Sequence, residues 1–211
     1  MAALLLGSLL AASPLRAAPP EDGLDAAALV ASLAREAPAR TPYTEVRFSS
    51  VLERPLVLHG ELAYLGPGHL GKRVDRPYRE ETTVADGEAV VRRGTREPRR
   101  FALGQAPELE GFLRGFSALL GGDAAALARD FTLTAHGSRD AWRLVLAPRD
   151  RRLARRVRRI EVDGSGNTPR CFRTESADGD VGVLMVDGLA GADLPSRPST
   201  AQVSALCRGT P

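Results

Sequence analysis

The stretch YTEVRFSSVLERPLVLHGELAYLGPGHL, residues 43–70, decides the fold of this chain. It contains two runs in which apolar side chains recur at every second position: Val46, Phe48 and Leu52, then Leu56, Leu58, Leu62 and Tyr64. Such alternation predicts β-strands that have one apolar and one solvent-exposed face. We therefore expect strands near residues 43–53 and 56–65, followed by a break at Gly66-Pro67-Gly68.

Tight-turn sequences mark further strands along the chain. Asp86-Gly87 predicts a two-residue hairpin between strands at 80–85 and 88–93. A short segment at 101–103 closes the first half, and the second half predicts strands at 131–135, 141–146, 156–162, 170–174 and 181–186. These roughly nine strands predict an α+β, mainly β fold: an incomplete antiparallel β-barrel, formed by a curved sheet, with helices lidding its concave apolar face.

Two stretches have the apolar spacing of amphipathic helices. Residues 24–36 form the first, which Pro38 ends. In the second, residues 109–120, apolar side chains repeat every three or four residues: Leu109, Phe112, Leu113, Phe116, Leu119 and Leu120. This stripe fits a movable lid, with the first helix as its partner, and it fits a permanent core helix equally well.

Two shorter segments complete the fold prediction. The carboxylate of Asp123 can accept the free amides of a first helical turn, which predicts a short helix through Arg129. The tail from Pro195 onward is expected to be a loop.

The first residues have the pattern of a secretory signal peptide. The apolar run at residues 4–10 is too short to span a bilayer as a helix. Small, turn-prone residues follow it, as at a cleavage site, although no Lys or Arg precedes it. We expect residues 1–18 to be a signal peptide, cleaved after Ala17 or Ala18, and residues 19–211 to be a single soluble domain in the periplasm.

The two cysteines, Cys171 and Cys207, fit an oxidising compartment. A pair of this kind in an exported protein indicates a disulfide. The bond would tie the C-terminal tail to a strand and stabilise the fold by ~3 kcal/mol. The alternative is two unrelated buried thiols.

The basic residues are nearly all arginine, and many lie in one run. The formal net charge is +3, and Lys72 is the single lysine. The arginine run comprises Arg149, Arg151, Arg152, Arg155, Arg156, Arg158 and Arg159. Because no base-stacking aromatic residues interleave with it, nucleic acid is not the expected partner. The run is either a solvated hairpin flank or, through Arg151, Arg152, Arg155 and Arg156, a docking patch for an acidic partner or anionic lipid head groups.

Catalytic and metal-binding patterns are missing from the sequence. His59, His69 and His136 are far apart, and no two have a metal-binding spacing. There is no Gly-Xaa-Ser-Xaa-Gly elbow, phosphate-binding loop or dinucleotide fingerprint. We expect no enzymatic activity, no catalytic residues, no metal and no cofactor.

Six segments, in order, carry a resemblance to a known family: YTEVRF (43–48), GELAY (60–64), the break at 67–70, VADGE (84–88), WRLVLAP (142–148) and IEVDGSG (160–166). The chain resembles the LolA family, periplasmic carriers of outer-membrane lipoproteins, over nearly its whole mature length. The resemblance implies an incomplete barrel whose helices lid an apolar cavity. It also implies that acylated lipoproteins pass from an inner-membrane transporter to an outer-membrane receptor. Where the family has a latch arginine before the proline of the break, this chain has Gly66, so we expect a diverged member.

The leading functional hypothesis is a periplasmic carrier of lipoproteins or lipids. Exposing a long acyl chain to water costs roughly 12 kcal/mol at about 0.8 kcal/mol per methylene, so transport needs a protein that buries the chain. The expected cavity residues are Val46, Phe48, Leu58, Leu62, Tyr64, Leu70, Leu109, Phe112, Leu113, Phe116, Trp142, Leu144 and Leu146. The expected partners are the acylated cargo, an inner-membrane export complex and an outer-membrane acceptor, with the carrier a monomer. The alternative is a non-catalytic periplasmic adaptor that docks partners through the run Arg149–Arg159.

Overall fold

A computed structural model describes residues 23–105 and 107–209, with the side chains of all of these except residues 107–109. The predicted signal peptide lies outside the described residues. The strands of the first half are β1 (Ala39–Phe48), β2 (Leu56–Gly66), β3 (His69–Arg76), β4 (Glu80–Ala85), β5 (Glu88–Arg93) and β6 (Arg99–Ala102). Those of the second half are β7 (Phe131–Ser138), β8 (Ala141–Pro148), β9 (Val157–Ser165), β10 (Thr168–Ser176) and β11 (Val181–Val186).

The described strands form one antiparallel sheet that is not closed. Its order is β6-β5-β4-β3-β2-β1-β11-β10-β9-β8-β7, so each half of the chain is a meander, and β1 pairs with β11 to join the halves. The predicted hairpin is confirmed, because β4 and β5 flank Asp86-Gly87, which both have positive φ. The mainly β, incomplete-barrel fold is therefore confirmed. The strand β3 was missing from the prediction, which left residues 69–76 unassigned.

The helices of the described chain are α1 (Ala26–Ser32), α2 (Pro107–Leu120), α3 (Ala124–Asp130), α4 (Arg151–Ala154) and α5 (Thr200–Arg208), with short 3-10 turns at Leu103–Gln105 and Asp187–Leu189. Asp123 caps α3 as predicted, since its carboxylate accepts the amide of Ala126 at 2.8 Å. The loop prediction for the tail is wrong. Ser199 and Gln202 form a capping box that starts α5. None of the helices in the described part of the chain is long and apolar enough to cross a membrane.

The sheet has an inner face, covered by α1 to α4, and an outer face, covered by α5. On the inner face of β8, Trp142, Leu144 and Leu146 are buried in one cluster with Leu33, directly after α1, and Leu127 of α3. Burying that many large apolar side chains is the main favourable contribution to folding here. The β7–β9 part of the inner face is therefore a filled core.

The outer face has its own apolar cluster beneath α5. Val46 of β1 and Val183 of β11 are opposed in register and pack with Val203 of α5. A disulfide joins Cys171 of β10 to Cys207 of α5. The C-terminal helix is thus held to the sheet by both apolar contacts and a covalent link.

Candidate functional site: an apolar cavity under α2

A cavity of about 680 Å³ lies between α2 and the inner face of β1–β4, β10 and β11. This volume is in the range of sites that enclose a small apolar ligand. Its sheet wall is largely apolar and includes Leu56, Leu62, Leu70, Val84, Phe172 and Leu184. The helices that fill the inner face over β7–β9 do not fill it here.

The helix α2 supplies the opposite wall. Phe112, Leu113, Phe116 and Leu120 line the cavity and are only half-buried, whereas Leu119 is buried in the core. Phe112 and Phe116 stack with ring centroids 6.5 Å apart, and Phe116 meets Phe172 of β10 edge to face. The helix therefore has one side in the core and another that faces open space.

Seven of the predicted cavity residues line this cavity: Phe48, Leu62, Tyr64, Leu70, Phe112, Leu113 and Phe116. Five others do not. Leu58, Trp142, Leu144 and Leu146 are buried in the main core, and Val46 lies on the outer face. The side chain of Leu109 lies outside the described side chains.

The register between β1 and β2 explains the position of Val46. Directly opposed residues of antiparallel strands point to the same face. Glu45 opposes Leu58, whereas Val46 opposes Val57. Consequently Glu45 and Arg47 point toward the cavity, whereas Val46 points toward α5. Phe48, the last residue of β1, packs against the same outer cluster as Val46 and also borders the cavity.

A charged cluster, Glu45, Arg47 and Lys72, therefore lies on the cavity wall, and sequence reasoning missed it. The Lys72 ammonium donates to Glu45 Oε2 at 2.5 Å, and Arg47 donates to both carboxylate oxygens at 2.7 and 3.3 Å. Burial acts to raise the pKa of Glu45, but the attraction of Lys72 and the hydrogen bonds from Arg47 outweigh it and hold that pKa below its usual value. The Glu45 side chain, 12 % exposed, is thus ionised and forms ion pairs with two cations.

Gly60 of β2 allows a close approach of two backbones beside this cluster. It lies opposite Tyr43 on one side and Val74 on the other. A Cβ at Gly60 would come within 1.8 Å of the Arg73 carbonyl oxygen, so only glycine fits this close backbone approach. The Lys72 ammonium lies 5.1 Å from the centroid of the Tyr43 ring, a cation–π distance.

The contacts between α2 and the break after β2 differ from the arginine latch that the family resemblance implies. Gly66, at the latch position, has a φ of +130° and brings no side chain to the helix. Instead, the Gly68 amide donates to the Ser117 hydroxyl of α2 at 2.9 Å. The Arg35 amide, just after α1, donates to the Leu120 carbonyl at the end of α2 at 2.8 Å. Neutral hydrogen bonds therefore connect α2 to the break and to the first helix.

The loop between β1 and β2 marks an opening of the cavity. Val51 and Leu52 line the cavity, yet Val51 is 87 % exposed and Leu52 is 40 % exposed. Large apolar side chains that are both lining and exposed must lie where the cavity meets solvent.

The arginine run falls on α4 and the start of β9. Arg158 and Arg159 form ion pairs with Glu175 of β10 at 2.7 and 3.0 Å. The four arginines of the predicted docking patch, Arg151, Arg152, Arg155 and Arg156, are exposed. Leu153 between them is buried, and α4 packs against α2, the helix that covers the cavity.

The described residues do not include a candidate metal site. No group of three or more His, Cys, Asp or Glu side chains there has the arrangement needed to hold a metal ion. His59 bonds Thr44 Oγ1 at 2.8 Å, away from the cavity.

Three solved structures resemble the chain at low sequence identity. A LolA superfamily protein, NE2245 from Nitrosomonas europaea, is 13% identical, covers 81% of this chain and 94% of its own, and gives a TM-score of 0.43. A putative outer membrane lipoprotein-sorting protein domain from Vibrio parahaemolyticus is 9% identical, with coverages of 82% and 94% and a TM-score of 0.41. The Pseudomonas aeruginosa MucA/MucB complex is 18% identical, with coverages of 85% and 60% and a TM-score of 0.39.

The family assignment rests on the sequence itself. No curated protein matches the chain. Residues 17–210, nearly the full length, match the family described as outer membrane lipoprotein carrier protein LolA-like. The chain therefore belongs to the LolA-like family of outer membrane lipoprotein carrier proteins.

Proposed function

We propose that this protein is a periplasmic carrier that binds the acyl chains of lipoproteins or lipids and ferries them from the inner to the outer membrane. The observation that carries the proposal is the apolar cavity of about 680 Å³ between the sheet and α2. Membership of the LolA-like family supports the same conclusion. Binding, with no chemical change to the cargo, is the whole of the proposed activity.

The physical requirement is reversible burial of hydrocarbon. Each methylene moved from water into the cavity contributes about 0.8 kcal/mol, so an acyl chain binds strongly without any specific polar contact. The half-buried side chains of α2, among them the stacked Phe112 and Phe116, can pack against the acyl chain of the cargo when it is bound.

Release requires that α2 can move. Neutral hydrogen bonds hold it through the Gly68–Ser117 pair and through the bond from Arg35 to Leu120. An ion pair also joins it to the end of α3, where the exposed Arg114 donates to the Asp130 carboxylate at 2.9 and 2.8 Å. A neutral hydrogen bond contributes about 1 kcal/mol to stability, little against the burial of an acyl chain. We infer that α2 is the lid and that displacing it opens the cavity.

We also propose the arginines around α4 as the docking patch for an acidic surface of the membrane partners. Arg151, Arg152 and Arg155 are exposed, and they lie in or directly after α4, the helical turn that packs on α2. Clustered positive charge accelerates encounter with acidic partners. Reversing Arg151, Arg152 and Arg155 to glutamate should slow cargo transfer to and from membranes at low salt. Unchanged affinity for a soluble lipopeptide would show that the cavity itself is intact.

The adaptor alternative is less well supported. It requires a sheet whose inner face is filled, and the inner face over β1–β4 borders a cavity.

The test is extraction of a lipopeptide from vesicles. The mature chain, residues 19–211, is mixed with vesicles that carry a synthetic triacylated lipopeptide, and the soluble fraction is analysed after sedimentation. We expect a soluble complex with the lipopeptide and none with the same peptide lacking acyl chains. Retention of all lipopeptide on the vesicles, at protein in excess, would overturn the proposal.

A further inference from the structure

The charged cluster on the cavity wall has no part in binding hydrocarbon. Glu45 and Arg47 project from β1, and Lys72 reaches them from β3 across the strand between. Their side chains are 12, 45 and 30 % exposed. Charged groups that are partly withdrawn from water lose hydration, and an apolar wall would avoid that cost. Their position on the wall of a ligand cavity therefore indicates a ligand that interacts with these charges.

The cluster carries one excess positive charge. Two cations share the single carboxylate of Glu45. The other charged lining residues are Arg35 and Asp187, which pair with each other at 3.8 Å, and Asp180 on the turn before β11. Among the described residues, Asp180 forms no ion pair with Arg47 or Lys72. One anion bound at the cluster would neutralise it.

Hydrogen-bond donors remain available for such an anion. Arg47 uses its Nε and one Nη of its guanidinium on Glu45, and Lys72 uses one of its three ammonium donors. Charge-assisted hydrogen bonds from these groups to carboxylate or phosphate oxygens are the strong class of polar contact.

The cluster lies between the opening and the apolar length of the cavity. Along β1, Arg47 lies near the loop that holds the exposed Val51, whereas Ala39 lines the cavity beside Tyr64. Six residues of strand separate Glu45 from Ala39, roughly 20 Å at about 3.3 Å per residue. Along this wall the lining includes the apolar Leu62, Tyr64 and Leu70. Its polar members are the small Thr41 and Thr82 and the Arg35–Asp187 pair, whose charges cancel. An amphiphile can therefore place its chain along this wall and its head group at the cluster.

We propose that Arg47 and Lys72 bind an anionic oxygen head group, a carboxylate or a phosphate, of an acylated cargo. Glu45 is the internal counter-ion: it holds the two cations in place in the empty cavity and limits their affinity for the anion. This inference rests on the proposed function, because the acyl chain must occupy the cavity for its head group to reach the cluster.

The test compares ligands with the same chain and different head groups: dodecanoate, dodecyl phosphate and uncharged dodecanol. Wild type should bind an anionic ligand at least about tenfold more tightly than dodecanol, the value of a charged hydrogen bond. Lys72→Met and Arg47→Met should each remove most of that preference while leaving the affinity for dodecanol unchanged. Glu45→Gln should strengthen anion binding, an effect that a purely structural cluster would not give.

Arg40→Met is the matched control. Arg40 of β1 forms an ion pair with Glu61 of the neighbouring β2 at 2.7 Å, and neither residue lines the cavity. The control should keep the anion preference. Inorganic phosphate should compete only weakly if the chain is needed, and full competition by phosphate alone would overturn a site for an acylated head group.

The outcomes separate the two claims. Equal affinity of wild type for all three ligands would overturn the head-group site and leave the carrier function standing. Failure of all three ligands to bind a protein with a native far-ultraviolet circular dichroism spectrum would overturn both.

Discussion

Replacing Leu62 with tryptophan should block the cavity without disturbing the fold. Leu62 is half-buried on β2 and lines the cavity wall across from α2. The indole has about six more heavy atoms than the leucine side chain. Because the cavity offers about 680 Å³, these atoms have room and do not overpack the core. They occupy volume that an acyl chain would otherwise fill.

The cost to binding follows from the hydrocarbon displaced. If the indole excludes about four methylenes, the loss is roughly 3 kcal/mol at about 0.8 kcal/mol each. That loss raises Kd about 200-fold, since 1.4 kcal/mol is a factor of ten. The free energy of unfolding should change by less than about 1 kcal/mol, because no buried contact is removed.

The assay is a fluorescence titration of wild type and variant with an acylated peptide. Leu65→Trp is the matched control, since Leu65 is on the same strand, 45 % exposed and away from the cavity lining. The control should bind like wild type. Equal affinity of Leu62→Trp and wild type would show that the acyl chain binds somewhere other than this cavity.

Four further predictions follow from other parts of the structure. Leu144→Ala should lower the free energy of unfolding by about 2–5 kcal/mol in urea denaturation, and leave the lipopeptide Kd unchanged because Leu144 lies in the filled core. Cys207→Ser should lower it by about 2–4 kcal/mol, also without affecting Kd, since the disulfide is on the outer face; a large rise in Kd would contradict that position. Ser117→Ala removes the acceptor for the Gly68 amide, worth about 1 kcal/mol, so stopped-flow release of cargo should accelerate about fivefold. The depressed pKa of Glu45 means that its stabilising contribution is complete above its ordinary pKa of 4.5 and is lost as pH falls through the lower folded-state value; Glu45→Gln should show a shallower loss of stability below pH 4.5 in thermal melts, and an unchanged slope would contradict it.

Much of the fold follows from local sequence patterns. Alternation on β2 puts Leu62 and Tyr64 on one face, and the Asp86-Gly87 turn fixes a hairpin, as both signals are local. The stripe at 109–120 gives a helix because its spacing matches one helical face. These predictions needed no knowledge of distant contacts.

The prediction that Val46 lines the cavity and the failure to predict the charged cluster have a single cause, the missed helix α5. With the tail predicted as a loop, only the inner face of the sheet could bury apolar side chains, so Val46 of β1 was assigned to that face. Because α5 covers the outer face, Val46 is buried in a second core there. The alternate residues of β1, Glu45 and Arg47, then point to the inner face. The capping box of Ser199 and Gln202 was a local signal that would have revealed α5.

The extent of the cavity depends on packing between distant segments. The pattern of Trp142, Leu144 and Leu146 on β8 is as apolar as that of β2. Helices α1, α3 and α4 happen to fill the inner face over β8 and leave the face over β2 partly open. Periodicity identifies a buried face, but it does not say whether side chains of the same protein or a ligand bury it.

The most direct test of the central claim is to locate a bound acyl chain. A lipopeptide with a photoreactive diazirine at the end of one acyl chain is bound to residues 19–211 and irradiated, and the cross-linked residues are identified by peptide mass spectrometry. We expect labels on cavity-lining residues of α2 and of β2–β4, such as Phe116, Tyr64 and Val84, and we expect Leu62→Trp to lose them. Labels confined to the outer face around α5, or unaffected by that substitution, would contradict that claim.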